Sequence, residues 1–283
     1  MLTSERRERR APRSLRAEYD QFIEQRIEEY KDSLPRADIL AIGDEAMSEL
    51  SFTLQFQLTE VVLRDQVDAI IRRRLKLPSF RRWREKHLTL RAAQVQPGHW
   101  GLGAHDPVAA LAELIEEQDP VLVIGAADGA CALFLAAHGA TVHVCDPDIA
   151  AIYGLESRAV TEQLGALIEC SVIQLERFEP FAWFVACVIE ASALAGMRAQ
   201  DRAELVERLK RVTPGGGRHV VMPVSQARGP REARLSSDAI LPSYSDWQIV
   251  RPPAPGGRGK ARNIGFTAVH PARRMDTDDS VSN

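Results

Sequence analysis

The stretch Val121-Leu122-Val123-Ile124-Gly125-Ala126-Ala127-Asp128-Gly129-Ala130 runs an apolar segment directly into a turn of small residues. Small side chains let the backbone approach a ligand, and the start of a following helix offers N–H groups that have no intrahelical partner. Asp146 lies 17 residues beyond Gly129, where a second apolar segment, Thr141–Cys145, ends. Ligands of open α/β sheets settle at the carboxyl ends of the strands, at the point where strand order reverses. A carboxylate there can accept hydrogen bonds from both hydroxyls of a ribose. The competing readings are a strand-to-helix turn without a ligand and, for Asp146, a helix N-cap ahead of Pro147.

Such a site needs a sheet, and the sequence supplies its elements in alternation. Strands are expected at 121–125, 141–145, 167–173, 183–188 and 219–222, in segments rich in Val, Ile and aromatic residues. Helices are expected at 130–138, with Gly139 at the C-terminal cap, at 148–165 and at 199–212. Thr213-Pro214-Gly215-Gly216-Gly217 breaks the last of these. Trp247–Arg251 and Asn263–Val269 read as a closing hairpin. Strands that alternate with helices imply βαβ units and a mostly parallel sheet. Residues 174–182 are short for such a crossover, which usually takes a dozen residues or more.

Ahead of the first strand, the loop Pro97–His105 holds three glycines with His99, Trp100 and His105, which read as a lid or as a structural turn. Asp106-Pro107 then opens a helix as an acidic N-cap followed by proline, and Val108, Leu111, Leu114 and Ile115 form its apolar face. The organisation expected is a basic tail at 1–14, a helical region at 15–95, an α/β domain at 96–271 and a loose tail at 272–283. Within the helical region, 15–33 is a polar helix, and Leu58–Leu77 is an amphipathic one that Pro78 ends.

Composition excludes several classes. A net charge of −3 gives no overall attraction to nucleic acid or membrane. No apolar run reaches the ~20 residues that span a bilayer, and the charged N-terminus MLTSERRERR has no apolar core behind it, so neither a membrane protein nor a secreted one is expected. Cys131, Cys145, Cys170 and Cys187 lack metal-ligand spacing and read as reduced core thiols of a cytoplasmic protein, with no metal. Arg72, Arg73, Arg74, Lys76, Arg81, Arg82, Arg84 and Lys86 carry eight positive charges against the single acid Glu85, with Phe80 and Trp83 between them. That run fits nucleic-acid phosphates. It also fits a solvated helix face paired with the acidic first helix (Glu24, Glu28, Glu29), and the latter reading is favoured.

The segment 121–146, VLVIGAADGACALFLAAHGATVHVCD, resembles the first motif of class I S-adenosylmethionine-dependent methyltransferases followed by their ribose-binding acid. Leu205–Met222, LVERLKRVTPGGGRHVVM, is similar to that family's helix, PGG turn and fifth strand. The resemblance covers about residues 97–270. It implies a Rossmann-like, seven-stranded, mostly parallel sheet (the methyltransferase fold) behind the N-terminal helical region, with an antiparallel last pair of strands. It also implies that S-adenosylmethionine is the cofactor. Gly125, Ala126, Ala127, Asp128 and Gly129 would line its methionine part, Asp146 with Pro147 would take the ribose, and Gln174 would flank the adenine. Glu190, beyond the fourth strand, would face the transferred methyl group as the candidate catalytic residue. The chain departs from the family at Val123, usually acidic, at Ala127, usually glycine, and at Gln174, where an acid is common; Glu176 lies close to it.

Three functions follow. The first is methyl transfer to an acceptor held over the carboxyl ends of the strands, most simply a small molecule. The second is a nicotinamide-dependent (NAD or NADP) oxidoreductase, because Gly125, Ala127 and Ala130 can be laid on G-x-G-x-x-G/A with Asp146 about 20 residues on. The PGG unit, the antiparallel ending and the lack of a Tyr-x-x-x-Lys pattern weigh against that reading. The third is a non-catalytic binding module, motivated by Val123 and Ala127. The N-terminal helices also allow a homodimer.

Overall fold

The structure is a computed structural model and describes residues 14–51, 60–222, 235–252 and 265–271. The chain divides into two compact units, Met1–Leu90 and Arg91–Asn283.

In the first unit, helix α1 spans Leu15–Ser33 as expected, and Ser14 Oγ accepts from Ala17 N at its start. Helix α2 spans Arg36–Ser51, α3 spans Glu60–Arg74, and α4 begins at Phe80 and runs to Gln94, its residues from Arg91 on belonging to the second unit. Of the helix expected at Leu58–Leu77, Leu58 lies outside the described residues, and the helix ends at Arg74, ahead of Lys76 at φ +50°. Tyr19, Ile23, Ile27, Ile42, Ala46, Ile70, Ile71 and Trp83 form the core. Trp83 is only 4% exposed and stacks on His87 at 4.5 Å, so this ring is core packing and presents no face to a base. The basic run is solvated but paired differently from expectation. Arg73 and Arg74 meet Glu49 and Glu45 of α2, and Arg81 meets Glu85, whereas Glu28 and Glu29 of α1 pair with Lys31 and Arg26 of their own helix.

The second unit holds the sheet. Its strands are β1 (Pro120–Ile124), β2 (Thr141–Asp146), β3 (Ile168–Val172), β4 (Ala186–Glu190), β5 (Arg218–Met222), β6 (Gln248–Val250) and β7 (Phe266–Val269). Their order is β3-β2-β1-β4-β5-β7-β6. The first five strands pair in parallel, and β7 runs antiparallel to both β5 and β6. This is the Rossmann-like, seven-stranded, mostly parallel sheet that the resemblance implied. Val121–Ile124 and Ala186–Ile189 are buried on both faces, as expected of central strands covered on two sides. One layer packs α6 (Ala130–Ala137), α7 (Ile149–Thr161) and α5 (Pro107–Ala112) against Val121, Val123, Val142, Val144 and Val188. The other packs α8 (Ala199–Arg211) with Tyr244 and Trp247 against Leu122, Ile124, Cys187 and Ile189. Strand order reverses between β1 and β4, which opens the crevice at their carboxyl ends.

Several expectations shift. The fourth strand lies at Ala186–Glu190, because the ladder to β1 begins at Ala186; Phe184 ahead of it is a core residue and Trp183 is exposed. The helix opened by Asp106-Pro107 stops at Ala112, where the Leu114 N–H turns to Leu111 O, so Leu114 faces solvent. The helix expected to reach residue 165 ends at Thr161, ahead of Gln163 at φ +58°. The connection between β3 and β4 has no α-helix; a 3₁₀ turn at Leu175–Arg177 carries it, anchored by the buried Leu175 and Phe178.

Candidate functional site

β1 ends at Ile124, and the chain leaves the sheet through Gly125, whose φ is +94°. A Cβ there would lie 2.6 Å from Ala193 Cβ and 2.9 Å from Glu190 Cβ, so glycine is demanded by both conformation and space. Gly129, the N-cap of α6, has φ +77° and leaves 2.7 Å from a built Cβ to Leu155 Cδ1. Between them Ala127 adopts φ +46°, a left-handed conformation that costs a residue with a Cβ about 1–2 kcal/mol. Alanine stands where the resemblance implied glycine, yet the turn keeps the conformation that glycine serves.

Asp146 at the end of β2 binds this turn directly. Its Oδ2 accepts from Ala126 N at 2.6 Å and its Oδ1 accepts from Asp148 N at 2.7 Å. The side chain is 7% exposed and fixes the ends of two adjacent strands. Each carboxylate oxygen has a second lone pair, so Asp146 retains capacity for two further donors. The N-cap of α7 is Asp148, which accepts from Ala150 N; the helix-cap reading therefore belongs to Asp148 and not to Asp146.

A cavity of about 560 Å³ opens at the carboxyl ends of β1, β2, β4 and β5. Its walls include Ala127, Asp128, Ala130 and Cys131 from the turn and α6, Asp146 and Pro147 after β2, Glu190 at the end of β4, and Met222 at the end of β5. Trp100, Gly101, Leu102 and Asp106 close it from the loop before α5. Gly125, Ala126 and Gly129 shape the turn from behind this lining. Val123 is buried in the core and offers nothing to the cavity. Gln174 is exposed and does not line the cavity, and neither do His99 and His105.

Five carboxylates line the cavity (Asp106, Asp128, Asp146, Asp148 and Glu190), and no lysine, arginine or histidine is among its described lining residues. Burial is the main reason that the Glu190 carboxyl is pushed up to about 7; the neighbouring Cys131 thiol favours its charged form, while Asp128 and Asp106 oppose it. The same burial, with Glu190 and Asp128 beside it, raises the Cys131 thiol well above its ordinary value and keeps it neutral. At the start of α6, Asp128 Oδ1 accepts from Ala130 N, so one of the free N–H groups of that terminus already has an acid on it.

Sequence reasoning missed Asp106, Cys131, Asp148 and Met222 as wall residues. Asp106 looked like a helix cap; it does occupy the N-cap position, but its side chain makes no cap hydrogen bond and instead accepts from Gly103 N at 2.7 Å. Met222 could have been found by asking what stands at the end of every central strand.

No family model matches the sequence, and no curated protein matches it. Among solved structures, the N-methyltransferase NodS of Bradyrhizobium japonicum is 17% identical, with 66% of this chain and 96% of that one covered and a TM-score of 0.45. An rRNA methylase of Streptococcus thermophilus is 15% identical over 63% of this chain and 98% of its own, at a TM-score of 0.44. A TehB-like SAM-dependent methyltransferase of Corynebacterium glutamicum is 14% identical over 68% and 97%, also at 0.44. At such identities and scores, the strand order and the cavity carry the reading of this chain.

Proposed function

We propose that the second unit binds S-adenosylmethionine and transfers its methyl group to a small-molecule acceptor. The observation that carries this is the charge of the cavity: five carboxylates and no described basic residue among its lining. Sulfonium and ammonium groups are favoured in such a field, and a dinucleotide pyrophosphate is repelled by it. The nicotinamide reading therefore finds no support in the cavity.

The residues fit the cofactor. The Gly125–Gly129 turn presents Ala127 and Asp128 to the cavity where the methionine part would lie, with Gly125, Ala126 and Gly129 behind them. The two open lone pairs of Asp146 suit the ribose hydroxyls, with Pro147 beside it. The resemblance assigned Gln174 to the adenine, and its exposed position leaves that assignment resting on the resemblance alone. S-adenosylmethionine supplies an electrophilic methyl carbon. The chain's part is to align the acceptor with it and to exclude water, which is much of what in-line transfer needs. Glu190 is the residue proposed to take the acceptor's proton, since a carboxyl held near 7 is matched to proton transfer at neutral pH.

Isothermal titration with S-adenosylmethionine, S-adenosylhomocysteine, NAD and NADP tests the reading. Binding of the first two alone is expected; binding of a dinucleotide instead would reject it. Cofactor binding with no turnover across an acceptor screen would favour the non-catalytic module, for which the left-handed Ala127 and the buried Val123 speak.

A further inference from the structure

The C-terminal end of α7 does more than cover the sheet. Arg158 Nη1 donates to the backbone carbonyl of Asp128, in the turn that forms one wall of the cavity. The same guanidinium lies 5.9 Å from the centre of the Trp100 ring, which also lines the cavity. One turn later, at the helix C-cap, Glu162 accepts from Gln94 Nε2 at both its backbone carbonyl (2.8 Å) and its carboxylate (2.9 Å). Gln94 O in turn accepts from Trp100 Nε1 at 2.7 Å. His99, set edge-on against Trp100 at 4.6 Å, reaches the Glu162 carboxylate at 3.5 Å.

An acid at a helix C-terminus faces the negative end of the helix dipole and is unfavourable there. Its position is explained by what it holds. The end of the helix holds two parts of the cavity lining, Asp128 directly and Trp100 through Gln94 and His99. We infer that Arg158 and Glu162 are positioning residues that hold Trp100 as a cavity wall and fix its separation from the Gly125–Gly129 turn. The Trp100 indole is thereby oriented before any ligand arrives, and a ligand that enters does not have to order it. The binding arm of the test below rests on the proposed cofactor; the wall itself does not.

The test uses the full chain with Arg158→Met, Arg158→Lys and Glu162→Gln, each alone and combined with Trp100→Phe. Without ligand, acrylamide quenching assigned to Trp100, by difference from its Trp100→Phe partner, is expected to rise about three- to fivefold in Arg158→Met, the scale of a lost cation–π contact. Arg158→Lys should recover much of the shielding. Glu162→Gln, which keeps the helix, should raise quenching through Gln94 and His99. Titration with S-adenosylhomocysteine should show weakening of about the same factor in Arg158→Met. Unchanged quenching in both Arg158→Met and Glu162→Gln, with cooperative unfolding retained, would overturn the inference. Increased quenching in a protein whose parent fails to bind S-adenosylhomocysteine would sustain the wall while rejecting the cofactor reading.

Discussion

Two polar clusters sit on the same sheet, and they differ in how completely their groups are used. At the amino-terminal side of β5, His219 is fully buried between Thr213 and Tyr244. Thr213 Oγ1 donates to Leu209 O and so accepts from His219 Nε2, while His219 Nδ1 accepts from the Tyr244 hydroxyl at 2.8 Å. Every donor in this run of hydrogen bonds from Tyr244 to Leu209 has an acceptor, and the aromatic rings of Trp247 and Phe266 pack around it. At the carboxyl ends of the strands, Asp146 keeps spare lone pairs beside open space and Glu190 faces a cavity with two other acids acting on it. Saturated polar groups specify a core; polar groups left with capacity facing a cavity mark a site.

The two clusters also respond to pH with opposite sign. Burial holds His219 down at about 3, below its unfolded value of 6.5, so it contributes stability above 6.5 that is lost as pH falls toward 3. Glu190 is raised from 4.5 to about 7, so its contribution is fully present below 4.5 and is lost as pH rises through 7. Urea unfolding across pH 4–8 should show both limbs, and Glu190→Gln should remove only the upper one.

Substitutions sharpen the contrast. The largest effect is expected from Glu190→Gln on turnover, a fall of about 100-fold or more if it accepts the proton, with loss of the pH–rate limb near 7 and with S-adenosylhomocysteine affinity nearly unchanged. Full turnover in that variant would remove the base from the mechanism. Asp146→Ala comes next. Calorimetry should find affinity for S-adenosylhomocysteine lower by about 1–3 kcal/mol, and the loss of its two backbone hydrogen bonds should lower stability as well. Tyr244→Phe breaks the sealed cluster instead: unfolding should cost about 1–3 kcal/mol less, from the stranded His219 nitrogen, while ligand affinity stays as it was. A drop in affinity there would erase the distinction between the regions. Smallest is Ala127→Gly. Relief of the left-handed strain is partly offset by added chain entropy, so a gain of less than about 1 kcal/mol is expected in the melting transition.

Much of the fold could be read from local patterns. The Gly125–Gly129 turn, Gly139 past the end of α6 at φ +93°, and the Pro214–Gly217 break are positions where backbone geometry is written in residue type. Gly217 has no room for a Cβ, which would meet Thr213 Cγ2 at 2.5 Å. Less was legible where aromatic residues lay next to a strand. Phe184 fills the core and yet precedes the ladder, because pairing with β1 sets the register and propensity does not. The helix-free link from β3 to β4 was visible only as a segment too short for a crossover.

The sequence by itself determined the alternation of strands and helices, the turn that must be glycine at both ends, and the acid at the end of the second strand. Each of these is a local demand on backbone shape or on one-residue burial, and residue type records it. The tertiary structure alone decided that Asp106, Asp128 and Glu190 meet around Cys131, and that Arg158 reaches Trp100 across the chain. The first of these depends on strand order, which brings β4, and Glu190 at its end, beside β1 at the reversal point. Strand order arises from the packing of distant segments, and no local pattern carries it.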